Sequence, residues 1–231
     1  MASLKKGLAA GTARRLAPRV TQLAPGLTQS FVREALKRAI SGIGPFPAAA
    51  RAAETQLAEQ KGDVDKAIRE LIENHVAYAG AEGLATNLGG LVTATIVAPA
   101  NITGLALIQC RLVAAIAHLR GYDLDDPRVR NAILMTILGE DTVKKLVKRK
   151  ELPAPPMATA TSPQHDPELD KVISTTLAGE LIGRVIGKRL AVTAGKRIPL
   201  VGGAVGGVTD GWSTWRVGRY AEREFLPRAI R

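Results

Sequence analysis

Aromatic side chains are scarce in this sequence, at 3% of 231 residues: two Trp, three Tyr and three Phe. That disfavours a sandwich of aromatic-rich strands. The hydrophobic 46% is carried instead by Ala, Leu, Val and Ile, a mixture suited to helices lying close together. Cysteine is nearly absent. The single Cys110 excludes an internal disulfide and fits a reducing compartment. Acids are missing from residues 1–33, which carry Lys5, Lys6, Arg14, Arg15, Arg19 and Arg33. Residues 184–231 hold ten Lys or Arg against Asp210, Glu222 and Glu224. The formal net charge of +11 therefore resides at the two ends of a near-neutral body. Basic ends suit an anionic membrane surface or nucleic acid. No continuous apolar run and cleavage site follow the basic N-terminus, so no signal peptide is evident.

The spacings that hold metals or phosphates are lacking too. His75, His118 and His165 lie far apart, and none is paired with another His or Cys at ligand spacing. Asp123, Asp125 and Asp126 lack the glycine and distal Glu of a calcium loop, so Asp125 or Asp126 reads as a helix cap. Between Gly183 and Lys188 the spacing is too short for a Walker loop, and Arg189 stands in the Ser or Thr place. The Gly202 to Gly207 run lacks the G-x-G-x-x-G order and a preceding strand. Cys110 lies on a row of small helical residues and reads as core rather than nucleophile. No catalytic set, metal or cofactor is assigned.

What the sequence has is glycine at helical spacing. Gly179, Gly183, Gly187, Ala191 and Gly195 form one ladder; after a break at Arg197, Ile198 and Pro199, Gly203, Gly207 and Gly211 form a second, with Gly202 and Gly206 beside it. An interior Gly costs a helix about 1 kcal/mol relative to Ala. Close approach of two helices is the usual compensation. The charge-free part of the second ladder, residues 198–209, is too short to cross a bilayer.

Helices are expected over 30–40 and 47–60, then from a cap at Asp63, with Gly42, Gly62 and Gly121 as stops and two short helices over 131–138 and 141–150. No charge occurs from Gly83 to Cys110, a run of 28 residues divided by Pro99. The segment after Pro99 has an apolar stripe at Leu105, Ile108, Leu112, Ile116 and Leu119. Buried hairpin, partial membrane insertion and a span remain open for it. Residues 152–167 are rich in Pro, Ala, Thr and Ser and read as a solvated linker. The expected organisation is a basic tail or amphipathic anchor at 1–29, a helical body at 30–151, the linker, a glycine-ladder hairpin of the same domain at 168–226, and a basic tail at 227–231. The fold class is an all-α, compact multi-helix bundle with glycine-rich helical hairpins.

Three acids sit in glycine-rich apolar surroundings: Glu82, Glu180 and Asp210. If buried they need partners, for which Arg111, Arg184 or Arg216 could serve. Trp212 and Trp215 cluster with Arg216 and Arg219 just beyond the second ladder, the pattern of an interfacial anchor. No nucleic-acid module accompanies them, which disfavours nucleic acid as partner.

Several stretches together resemble the EcsC protein family of bacteria. They are Gly89-Gly90, Pro99-Ala100-Asn101, Arg111, Arg120-Gly121-Tyr122-Asp123, the segment from Ile198-Pro199 through Gly202, Gly203, Gly206 and Gly207, and Ala221 to Phe225. The resemblance covers residues 63–226. This chain has Asn101 and Asp210 where the family commonly has Asp and Asn, and Arg120 in its loop. The resemblance implies membrane association without an established activity, and supplies no catalytic residues. The resulting expectation is a protein on the cytoplasmic side of the bacterial membrane, peripheral or partly inserted, whose partner is anionic lipid or a membrane protein. A soluble cytoplasmic scaffold forming a homo-oligomer is the alternative. An enzyme acting on a lipid or another apolar substrate, with Glu82, Glu180 or Asp210 as acid-base group, is the third.

Overall fold

A computed structural model describes residues 25–42, 47–88, 90–194 and 199–228, with side-chain surroundings given outside 25–29, 84–103 and 181–206. The described residues are helical with no strand, as the composition led us to expect. Among them nine helices occur in order: α1 (Pro25–Ser41), α2 (Ala49–Glu59), α3 (Val64–Leu88), α4 (Gly90–Leu119), α5 (Pro127–Leu138), α6 (Glu140–Lys148), α7 (Pro156–Ala160), α8 (Pro167–Ala194) and α9 (Pro199–Glu224). Lys5, Lys6, Arg14, Arg15, Gly89 and Gly195 lie outside the described residues.

The boundaries follow local chemistry. Asp63 accepts a hydrogen bond from the Lys66 amide at 3.0 Å and starts α3. Asp126 does the same for α5 through the Arg128 amide at 2.8 Å, with Pro127 in the first helical position. After α2 the chain reverses at Gly62, whose φ of +86° an L side chain rarely adopts and whose amide returns to the Leu57 carbonyl at 2.9 Å.

α4 is the central helix. Residues Leu112 to Ala117 are six consecutive fully buried positions, and α1, α2, α3, α5, α8 and α9 all pack on this helix. A stretch buried on every side, as 112–117 is, needs small residues to let so many neighbours approach, and Ala114, Ala115 and Ala117 supply them. The apolar stripe read from the sequence is one side of this arrangement. Cys110 is in the core, and burial pushes its thiol up to about 12. Pro99 does not divide the segment: α4 runs unbroken through it. A proline removes one backbone hydrogen bond, and the ladder on either side is long enough to continue the helix.

Within residues 152–167 part of the stretch is packed against the body, while 161–167 are exposed or half-buried. Leu152 is fully buried, and Pro156, Thr159 and Ala160 of α7 are buried against α5. The prolines pre-set φ for a short helix start rather than for an extended spacer. The Glu224 carboxylate then accepts from the Met157 amide at 3.0 Å and ties α7 to the end of α9.

Among the described residues, α9 lies chiefly along α3 and also touches α4 and α5, and α8 packs chiefly on α1 and α5 and touches α4. The expected packing of ladder on ladder falls on side chains 181–206, outside those described. Among the described residues no helix is long and apolar enough to cross a membrane.

Candidate functional site

α3 and α9 run antiparallel, and glycine on both helices brings them together. A β-carbon on Gly80 would meet the Gly207 carbonyl at 3.6 Å, and one on Gly211 would meet Val76 at 3.5 Å. Beside this seam opens a groove of about 630 Å³. Gly80, Gly207 and Gly211 leave its floor bare, and Val76, Val208, Trp212 and Trp215 form its walls. Val208 is 73% exposed, Trp212 59% and Trp215 41%. The two indoles stack with centroids 4.9 Å apart and planes 16° from parallel. Three large apolar side chains at i, i+4 and i+7 thus share one uncovered face of α9.

A cationic rim continues this face. Arg219 lies one turn beyond Trp215, and Arg216 is adjacent. Arg219 pairs with Glu222, and Arg216 reaches Asp141 at the start of α6 at 2.7 Å. The second pair holds Asp141 below the usual carboxylate range. Arg223 pairs with Glu140 and likewise ties α9 to α6.

The three acids part company. Asp210 is 2% exposed, a buried acid as expected. Glu82 is half-buried and packs on Gly104 of α4, where a β-carbon would lie 2.8 Å from its Cδ. Glu180 is exposed, so the expectation of burial fails there: it falls on the solvent side of α8, while Ile173, Leu177 and Ala178 face the core. Arg216 pairs with Asp141. Arg111 is half-buried, and burial lowers its pKa against the pull of Tyr78.

The loop motif and the chain end meet. Tyr122 is buried edge-on to Phe225, with centroids 5.1 Å apart, and the Arg228 guanidinium lies 5.2 Å from the Tyr122 ring centre. The Arg228 amide donates to the Arg120 carbonyl at 2.9 Å. Gly121 is required twice over, by its φ of +82° and because a β-carbon would approach the Arg228 carbonyl to 3.1 Å. Asp123 accepts from the Asp125 amide at 2.8 Å and shapes the turn. Arg120, Gly121, Tyr122 and Asp123 therefore form a clasp on the C-terminal end of α9. The backbone of Gly90, Pro99 and Asn101 is in α4, that of Gly183, Gly187 and Ala191 in α8, and that of Pro199, Gly202, Gly203 and Gly206 in α9. Gly179 is half-buried on α8.

The model of the EcsC protein family matches residues 2–230, nearly the whole chain and well beyond the 63–226 of the motifs. The chain belongs to the EcsC protein family. No curated protein and no solved structure matches it. Within this EcsC-family chain, the clasp accounts structurally for one of the motifs, and the groove draws on another through Gly207.

Sequence reading missed several residues that matter. Gly80 and Val208 in the groove, and Gly218 below it, were not singled out; Gly218 lies seven residues after Gly211 and extends the same face. Gln109 is fully buried and donates to Ser213 at 2.9 Å and Thr214 at 3.3 Å, coupling α4 to α9. A lone Gln in an apolar helix gives no signal of its partner a hundred residues away. Among the described residues no group of three or more His, Cys, Asp or Glu is placed to hold a metal.

Proposed function

We propose that this EcsC-family protein binds peripherally to anionic lipid on the cytoplasmic face of the bacterial membrane. Val208, Trp212 and Trp215 on α9 enter the interfacial layer, and Arg216, Arg219 and the basic chain ends meet the headgroups. The observation that carries this reading is the stacked, solvent-exposed pair Trp212 and Trp215. Trp is enriched where one side of a ring meets hydrocarbon and the other meets water, and a cationic fringe adds attraction to anionic lipid. An isolated exposed hydrophobe would need no explanation; three on one face beside a cationic rim do.

Vesicle flotation tests it. The protein should rise with vesicles containing phosphatidylglycerol and much less with phosphatidylcholine alone, and salt should weaken binding. Absence of flotation in both defeats the reading. Binding to native membranes that is abolished by prior protease treatment, with none to protein-free vesicles, points to a membrane protein instead. A defined oligomer in solution with no affinity for either favours the scaffold. No described cluster of side chains nominates an acid-base pair, so the lipid-enzyme reading has no site to test first.

A further inference from the structure

The groove beside the glycine seam has properties that the anchoring role does not require. Its volume lies within the ~300–1,000 Å³ of sites that hold small molecules. Among the described residues its lining is glycine, valine and tryptophan, with no hydroxyl, amide or charged side chain. An occupant that is apolar where it faces this lining fits best, since a polar group buried there without a partner is costly. An extended peptide fails that condition, because every residue carries an N–H and a C=O.

Among the described residues, charge borders the groove beyond the tryptophans. Arg219 and Arg216 follow Trp215 on α9, and each commits part of a five-donor guanidinium to its described acid. An anion beside them still finds donors. The complementary molecule is slender, apolar along its body and negatively charged at one end.

We infer that the groove between α3 and α9 takes one acyl chain of an anionic membrane phospholipid, with the headgroup phosphate at Arg216 and Arg219. This rests on the membrane-surface reading and names the lipid component that the surface captures. The chain lies over Gly80, Gly207 and Gly211, bounded by Val76 and Val208, with the stacked indoles along one side.

Trp212 and Trp215 are the two tryptophans of the chain, so intrinsic indole emission reports on the groove alone. One arm uses vesicles of equal parts phosphatidylcholine and phosphatidylglycerol, the latter brominated at mid-chain. A second arm uses brominated lysophosphatidylglycerol kept below its micelle concentration. The expected result is flotation with quenching in the first arm, and in the second a quench that saturates at one lipid per protein. Gly80→Leu fills the floor and Val208→Asp places a like charge on an exposed wall; each should weaken binding of the monomeric probe at least tenfold. Val208 is exposed enough for the second variant to fold even if the first does not.

Flotation without saturable quenching by the monomeric probe overturns the acyl-chain site and leaves the membrane reading standing. Saturable quenching unchanged by Val208→Asp overturns it as well. Monomer binding without flotation shows that the ligand is a free lipid and overturns the membrane source. A dimer abolished by Val208→Asp, with no lipid quench, gives the groove to a second copy of the chain.

Discussion

Ile72 of α3 lies directly against the bare Cα of Gly218 in α9. A β-carbon at Gly218 would fall 2.8 Å from Ile72 Cγ1 and 3.2 Å from Leu112 Cδ2, so α3, α4 and α9 converge on an absent side chain. Gly218→Ala should therefore destabilise the protein by about 1–3 kcal/mol, because overpacking outweighs the gain in helix propensity. Gly80→Ala should be neutral or stabilising by up to about 1 kcal/mol, its nearest contact being an ordinary 3.6 Å. Urea denaturation of the two variants checks the contrast; equal effects would remove the distinction between the wedge and the open seam.

His75 is buried on α3, with Nδ1 2.7 Å from the Leu71 carbonyl. That contact places the proton on Nδ1 and leaves Nε2 an acceptor with no hydrogen-bond partner. Burial lowers its pKa to about 4, and Arg111 pushes the same way. The unfolded imidazole takes up a proton near pH 6.5, so between about pH 6.5 and 4 the unfolded state binds more protons and stability falls on acidification. The loss across that window is about 3 kcal/mol. His75→Phe should flatten the profile there, as measured by urea midpoints at pH 7 and pH 5.

Asp170 joins four segments. It accepts from Asn131 of α5 at 2.6 Å and His165 at 2.8 Å, and pairs with Arg33 of α1 at 3.1 Å. Burial alone would raise its pKa, but the hydrogen bonds from these three partners lower it. Its contribution is thus present above the unfolded value near 3.9 and is lost as pH falls through the depressed folded value. That window lies below the one governed by His75. Asp170→Ala leaves the Asn131 amide unsatisfied in a buried site and should cost about 1–3 kcal/mol at neutral pH. Thermal melts check the loss.

Two aromatic truncations should have opposite readouts. Phe225→Ala empties a fully buried site in the clasp and should cost about 3–5 kcal/mol in stability. Trp212→Ala with Trp215→Ala removes exposed rings and should change stability by about 0.5 kcal/mol or less per site. The same pair should weaken vesicle binding at least about tenfold, since each ring forfeits roughly 1.5–3 kcal/mol of apolar transfer. A double variant that floats as the parent does would exclude the indoles from the interface.

Helix class and most helix stops were legible because they depend on near neighbours. Asp63 and Asp126 cap the helices that begin just after them, and Gly42, Gly62 and Gly121 adopt positive φ where stops were expected. The glycines of α9 were legible as a packing device, but their partner was not: Gly80 is one small residue among Ala79, Ala81 and Gly83 on a helix some 130 positions away. Composition reports hydration on average, so it could not show that within residues 152–167 Leu152 and Pro156 are buried individually. Glu180 misled because glycine spacing marks a face only when the helix phase is known. The interfacial pattern of Trp212, Trp215, Arg216 and Arg219 could be seen in the sequence; the groove beside it could not, since its other wall comes from α3.

The pairing of α3 with α9 also sets an order of events during synthesis. Ile72 and Gly218 are separated by most of the chain, so the flank of α3 that carries Ile72 and Val76 lacks its α9 cover until α9 leaves the ribosome. At about 5–20 residues per second that wait lasts roughly 7–30 s, far longer than the roughly microsecond formation of either helix. Each newly made molecule thus passes through a period in which its own C-terminal helix competes with other apolar surfaces for that flank. A chain halted before Pro199 would keep the flank bare.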